Sequence, residues 1–141
     1  MTMNNASNPA SYTPLPLAAG WAKVSAGMVM PRIVIGDFLD DWRRAADSTG
    51  RAALIVDAIL DSEDPVIHRW SAFASAMVEH LARRDGVPVP SWVGSSQWVL
   101  PEPWFLNPYW KLRIWQLVVT PPAFKRRRIF GGDEATLIGR V

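Results

Sequence analysis

The sequence predicts a mainly α-helical fold: one small domain of four to five helices with an ordered loop rich in proline and tryptophan. The first observation is that apolar residues recur at helical spacing in three stretches. The second is that the longest stretch, residues 64–85, carries start and stop signals at its two ends. The third is that the chain has 141 residues, 49% of them hydrophobic, which is enough for one buried core.

The N-terminal stretch predicts a flexible tail over residues 1–25. Its first twenty residues are rich in Asn, Ser, Thr, Pro, Ala and Gly, a composition that buries little apolar surface. We therefore expect the single helical domain to occupy residues 26–141.

The first predicted helix follows residue 31. Ile35, Phe38, Leu39 and Trp42 fall on one face, as expected for a half-buried helix. The opposite face carries the carboxylates at positions 37, 40 and 41. These could be read as a metal or acid–base cluster, but a solvated helix face is the favoured interpretation. A short second helix is predicted over residues 51–60.

The central helix, residues 64–85, organises the prediction. Its apolar stripe recurs at spacings of three and four. Asp64 is suited to cap the start, and Pro65 fits the first helical position. Gly86 is suited to end the helix. We expect one side of this helix to be buried.

Residues 86–108 contain five prolines together with Trp92, Trp98 and Trp104. Prolines exclude long regular structure, so this segment is predicted to be an ordered loop pinned by its rings. A stacking site for bases or sugars is the alternative, yet residues 86–110 contain no Lys or Arg to bind phosphates. A structural loop is favoured, with a protein-contact surface as the next interpretation.

The C-terminal part begins with a dense apolar run over about 108–119, for which a buried helix is favoured and a strand left open. A short helix then carries the basic run Lys125–Arg128. This run could bind an anion, either nucleic-acid phosphate or an acidic protein surface. It could equally be a solvated helix end, because four consecutive helical residues point all round the axis. The predicted partner- or anion-binding residues are Lys125, Arg126, Arg127, Arg128, Trp92, Trp98 and Trp104.

The sequence contains few candidate catalytic or metal-binding residues. There is no cysteine, and His68 and His80 would lie about 18 Å apart on one helix. No motif pairs a nucleophile or a base with an orienting residue. We therefore expect no enzyme activity, no cofactor and no metal site.

The charge distribution and the lack of targeting signals bear on partners and location. Residues 32–64 hold eight acids and four arginines, a balance of −4, whereas residues 125–141 hold five bases and two acids, a balance of +3. This asymmetry favours a charged partner or self-association.

No apolar run is long enough to span a membrane, and no secretory signal is visible. A cytoplasmic protein is expected.

Four phrases together resemble an uncharacterised family of small bacterial proteins. They are IGDFLDDWRRA (35–45), RWSAFASAMVEHLARRDGVPVPSWV (69–93), PEPWF (101–105) and PPAFKRRRIF (121–130). In that family a helix ending in AEHLA precedes a proline-bracketed tryptophan, a WF pair and a phrase similar to SPAAFRRRGIF. This chain departs from the last phrase at Pro121 and Lys125. The family has no assigned catalytic residues, so the resemblance implies none here.

The resemblance implies a function because such proteins are often encoded beside nucleotidyltransferase-like toxins. It suggests a non-enzymatic antitoxin or accessory partner that binds and occludes the toxin. In this hypothesis the basic helix and exposed aromatics would make the contact. The alternative is a nucleic-acid-binding regulator that uses Lys125–Arg128 on phosphate, which would make binding fall steeply with salt.

Overall fold

The computed structural model describes residues 13–139 and is mainly helical, which confirms the predicted fold class. Seven α-helices lie within the described residues: α1 Leu17–Ser25, α2 Pro31–Arg44, α3 Ser48–Ile55, α4 Pro65–Arg84, α5 Arg113–Val119, α6 Pro122–Lys125 and α7 Glu134–Ile138. Two short strands, β1 Trp104–Phe105 and β2 Ile129–Phe130, complete the fold. The predicted count of four to five helices is too low because α1 and α7 were not recognised. None of the described helices is long and apolar enough to cross a membrane.

Helix α1 corrects the predicted tail at residues 17–25. Leu17, Trp21 and Val24 are fully buried, at the i, i+4, i+7 spacing of one helix face. The indole of Trp21 donates to the Ser71 hydroxyl at 2.9 Å, which joins α1 to α4. The sequence did not predict this short apolar face because the preceding residues are mostly polar. The first twelve residues of the tail predicted over 1–25 lie outside the described part of the chain.

Helix α2 confirms the first predicted helix and its buried face. Ile35, Phe38, Leu39 and Trp42 are all buried. Asp41, predicted on the solvated face, is instead 2% exposed. Helix α3 ends at Ile55, earlier than predicted, and Asp47 caps its start by accepting from the Gly50 N–H at 2.8 Å.

Helix α4 is the centre of the molecule. Asp64 caps its start by accepting from the Val66 N–H at 2.8 Å, and Pro65 occupies the first helical position. Gly86 ends it with φ +70°, a left-handed conformation that favours glycine. The expectation of one buried side is wrong for the middle of the helix, where almost every residue from Ser71 to Ala82 is buried. Small Ala and Ser side chains there let neighbouring elements approach from several directions.

The loop after α4 is ordered by short turns and indole hydrogen bonds, as predicted. Two 3-10 turns lie at Ser91–Gly94 and Ser96–Trp98. The loop then enters β1, which pairs in parallel with β2 in the register Trp104 with Ile129 and Phe105 with Phe130. A pair of two-residue strands has no sequence signature, so this element was not predicted. It fixes the end of the loop beside the segment that follows α6.

The C-terminal segment folds back on the core. Pro121 precedes α6 and Pro122 occupies its first turn. The Thr120 hydroxyl contacts the Gln116 carbonyl and accepts from the Gly131 and Gly132 N–H groups. Ile138 of α7 is 5% exposed, so the last helix docks through its final residue.

Candidate interaction surface

The basic run Lys125–Arg128 makes internal contacts at all four of its positions. Lys125 donates from Nζ to the Val118 carbonyl at 3.1 Å, which satisfies the C-terminal end of α5. Arg126 contacts Glu79, and Arg127 is 4% exposed. Arg128 donates to the Pro101 carbonyl at 2.9 Å and has φ +63°.

The Arg127 guanidinium is the best-connected of these groups. It donates to the Ser75 hydroxyl at 2.8 Å, the Ala123 carbonyl at 2.6 Å and the Val93 carbonyl at 2.7 Å. Its Nη2 also lies 2.9 Å from a Glu79 oxygen. These contacts tie α4, the proline- and tryptophan-rich loop and α6 together. Burial lowers the pKa of Arg127, although the hydrogen bond and charge of Glu79 act in the opposite direction.

Glu79 is the acidic centre of this cluster. Burial alone would raise the pKa of its carboxyl, but hydrogen bonds and charge from Arg127, with Arg83 and Arg126, lower it overall. The Arg83 Nε donates to Glu79 at 3.0 Å. A carboxylate with three arginines is a strongly held structural cluster.

These contacts bear on the prediction for the basic run. Arg127 is inside the protein and cannot meet a partner directly. Lys125, Arg126 and Arg128 contact the Val118 carbonyl, Glu79 and the Pro101 carbonyl, and their binding of an anion stays a prediction. The run is explained by the contacts that hold the C-terminal segment to α4.

The three predicted tryptophans act mainly within the fold. Trp98 is 2% exposed and donates to the Trp92 carbonyl at 3.0 Å, which corrects its prediction as a contact residue. Trp92 donates to the Ile55 carbonyl at 2.9 Å and is half-buried. Trp104 packs edge-on against Trp70, with ring centroids 5.1 Å apart, and is also half-buried. Of the seven predicted residues, Arg127 and Trp98 are buried, and binding by the other five stays a prediction.

A run of exposed apolar side chains lies instead on α5 and the turn before it. The predicted helix over 108–119 is confirmed as a 3-10 turn, Trp110–Leu112, that leads into α5. Its predicted burial is wrong, since large apolar side chains point to solvent: Ile114 (76% exposed), Trp110 (68%), Val118 (67%), Tyr109 (51%), Leu117 (43%) and Trp115 (42%). We call these six residues the α5 face.

The one fully buried residue of α5 is polar. Gln116 is fully buried, accepts from the Asn107 N–H at 3.2 Å and donates to the Asn107 carbonyl at 3.1 Å. No α5 residue belongs to the buried apolar cluster formed by the described residues. We call α5 inverted, because the two hydrogen bonds between Gln116 and Asn107 clamp it to the rest of the domain while most of its apolar side chains face water.

The sequence did not predict this orientation, because the high density of apolar residues was interpreted as a sign of burial. The isolated Gln116 inside the run was the available signal.

Two cations flank the α5 face. The Lys111 ammonium lies 5.6 Å from the centroid of the Trp110 ring, and the Arg113 guanidinium lies 5.0 Å from that of Phe105. Neither forms an ion pair with a carboxylate in the described residues. Both charges are available to a partner.

The two histidines each pair with a carboxylate. His68 Nδ1 lies 2.9 Å from an oxygen of Asp61, and His80 Nε2 contacts Glu134. The hydrogen bond from His80 and the charge of Arg84 outweigh partial burial and lower the pKa of Glu134. No group of three or more potential metal ligands occurs among the described residues. The pairs hold α4 to the segments around it.

Comparison with protein-family models, with curated proteins and with solved structures finds no match for this chain. The resemblance of the four sequence phrases therefore remains a prediction. The geometry defines a small helical domain with one solvent-facing apolar helix.

Proposed function

We propose that this chain is a non-enzymatic protein-interaction module whose contact surface is the α5 face. The observation that supports the proposal is the exposure of six large apolar side chains on one short helix and its leading turn. Soluble monomers rarely expose contiguous apolar patches larger than a few hundred Å², and larger patches mark interaction sites. Aromatic residues such as Trp110, Trp115 and Tyr109 also supply the large contact areas typical of interface centres.

The partner we propose is a nucleotidyltransferase-like toxin, as the sequence resemblance implies. The chain would act as its antitoxin or accessory partner by binding the toxin and occluding it. The docking element differs from the one expected from the sequence: it is α5, whereas the basic run holds the fold together. A cytoplasmic location follows from this proposal.

The alternative of a nucleic-acid-binding regulator has less geometric support. It needs Lys125–Arg128 as a phosphate-binding face, yet Arg127 is buried and Arg126 contacts Glu79. The prediction that distinguishes this function is a steep loss of binding with rising salt. Apolar docking on α5 predicts a much flatter salt response.

Affinity capture from the native host tests the proposal. The tagged chain and its Ile114→Asp variant are compared at low salt and at high salt with nuclease. Val66→Asp is the matched control, because Val66 is an apolar residue 52% exposed on the first turn of α4 and is not one of the six residues of the α5 face. We expect one stoichiometric protein with the wild type and the control and at least tenfold less with Ile114→Asp.

A growth assay tests whether the captured protein is a toxin. Expression of the captured protein alone should arrest growth, and co-expression with the wild-type chain, but not with Ile114→Asp, should restore it. Equal capture by all three chains would reject α5 as the docking surface. Recovery of nucleic acid alone at low salt, lost at high salt, would favour the regulator.

A further inference from the structure

We infer that the α5 face takes an acidic amphipathic helix of the partner protein. The inference rests on the proposed function and adds the chemistry of the partner's docking segment. It is argued from the pattern of exposure along α5 and from the charges that flank it.

The exposed side chains of α5 form a regular ridge. Trp110, Ile114 and Val118 are spaced by four residues and are the three most exposed members of the α5 face. Ile114 and Val118, at i and i+4, lie on one row of α5, with Trp110 in the 3-10 turn before it, and such rows pack into the grooves of a second helix. Leu117 and Trp115 lie beside the row. The shape therefore fits an apolar helix face that interdigitates with the ridge.

The charged residues within and next to the ridge are basic in sequence. Residues 103–132 contain six Lys or Arg and no Asp or Glu. The four in the basic run make internal contacts. Lys111 and Arg113 have ring contacts but no carboxylate partner in the described residues. Both lie at the start of the ridge, where they would meet acidic side chains on a docked helix.

The same charges argue against a symmetric dimer through α5. A two-fold axis through the α5 face would bring Lys111 and Arg113 of both copies to the same interface, and neither has a carboxylate partner in the described residues. Like charges at an interface suppress association. An acidic partner helix satisfies both the apolar ridge and the two cations.

Two designed helical peptides test the inference. They share one leucine-rich face and differ only in carrying Glu or Lys on the flanks of that face. NMR titration against the full chain should show that the Glu peptide binds about tenfold more tightly, as expected for two added charge contacts. The indole signals of Trp110 and Trp115 should shift most. The Lys111→Glu/Arg113→Glu variant should reverse the preference, whereas Lys23→Glu/Arg43→Glu, the same charge change on α1 and α2, should preserve it.

Four outcomes would overturn the inference: equal affinity for both peptides, binding of neither, shifts located away from α5, or α5-dependent dimerisation in sedimentation. Binding of anionic phospholipid vesicles through α5 in place of the peptides would overturn it as well. Failure here is separable from failure of the proposed function. If Ile114→Asp abolishes capture of the native partner while Lys111→Glu/Arg113→Glu leaves it unchanged, α5 remains the docking surface and only the acidic chemistry is rejected.

Discussion

The Arg127 guanidinium lies 2.9 Å from the Glu79 carboxylate, with both side chains less than a tenth exposed. The two residues are 48 positions apart, and their contact joins the C-terminal segment to the central helix. Arg127 also donates to Ser75 and to two backbone carbonyls, so the guanidinium has four hydrogen-bonding partners inside the fold.

Removing one member of this pair should be strongly destabilising. Arg127→Met leaves the Glu79 carboxylate buried without its main partner, and we expect a loss of about 3–5 kcal/mol in the free energy of unfolding. Urea denaturation followed by circular dichroism measures it. Arg43→Ala, which breaks an exposed ion pair with Asp40, is the control and should cost less than about 1 kcal/mol. Equal small effects would mean that the pair is dispensable.

The carboxyl of Asp85 should make stability depend on acid pH. Its hydrogen bond from Arg84, helped by one from the Trp42 indole at 2.7 Å and opposed by partial burial, lowers its pKa from 3.8 to about 2. A folded pKa below the unfolded value means that stabilisation is present above about pH 4 and is lost as the pH falls towards about 2. Allowing for solvent screening, we expect about 1 kcal/mol from this group.

Urea denaturation of wild type and Asp85→Asn at several pH values separates Asp85 from other carboxylates. The variant should be less stable near neutral pH, and the difference should shrink as the pH falls from about 4 to about 2. Parallel pH profiles for the two proteins would show that Asp85 does not contribute this dependence.

Trp21 provides a test of helix α1. The side chain is fully buried and its indole donates to Ser71, so Trp21→Ala should cost about 3–5 kcal/mol. Met28→Ala, at a position 74% exposed, should change stability by less than about 0.5 kcal/mol. Thermal denaturation of both variants measures the difference. A tolerated Trp21→Ala would favour the flexible tail predicted from composition.

Much of the fold could be predicted from signals that act within a few residues of the sequence. Asp64, Pro65 and Gly86 mark the ends of α4 because capping and backbone preference act within a few residues. The buried face of α2 follows from periodicity alone. Trp21 was missed because its burial depends on α4, which lies 50 residues further along the chain.

The candidate site could not be predicted in the same way. The burial of Arg127 depends on Glu79 and Val93, and nothing in the run KRRR distinguishes this position from its neighbours. The direction in which α5 faces depends on the clamp between Gln116 and Asn107. Both features arise from tertiary contacts, which override the preferences of the local sequence.

The inverted helix α5 predicts a reversed order of mutational effects. Ile114→Ala removes a side chain that is 76% exposed, so stability should change by less than about 0.5 kcal/mol. Gln116→Ala removes a fully buried side chain and both of its hydrogen bonds to the Asn107 backbone, which should cost about 1–3 kcal/mol. Urea denaturation of the two variants tests the order. In a helix with an apolar inner face, truncation of isoleucine would be the more damaging change, so that result would contradict the orientation on which the α5 face depends.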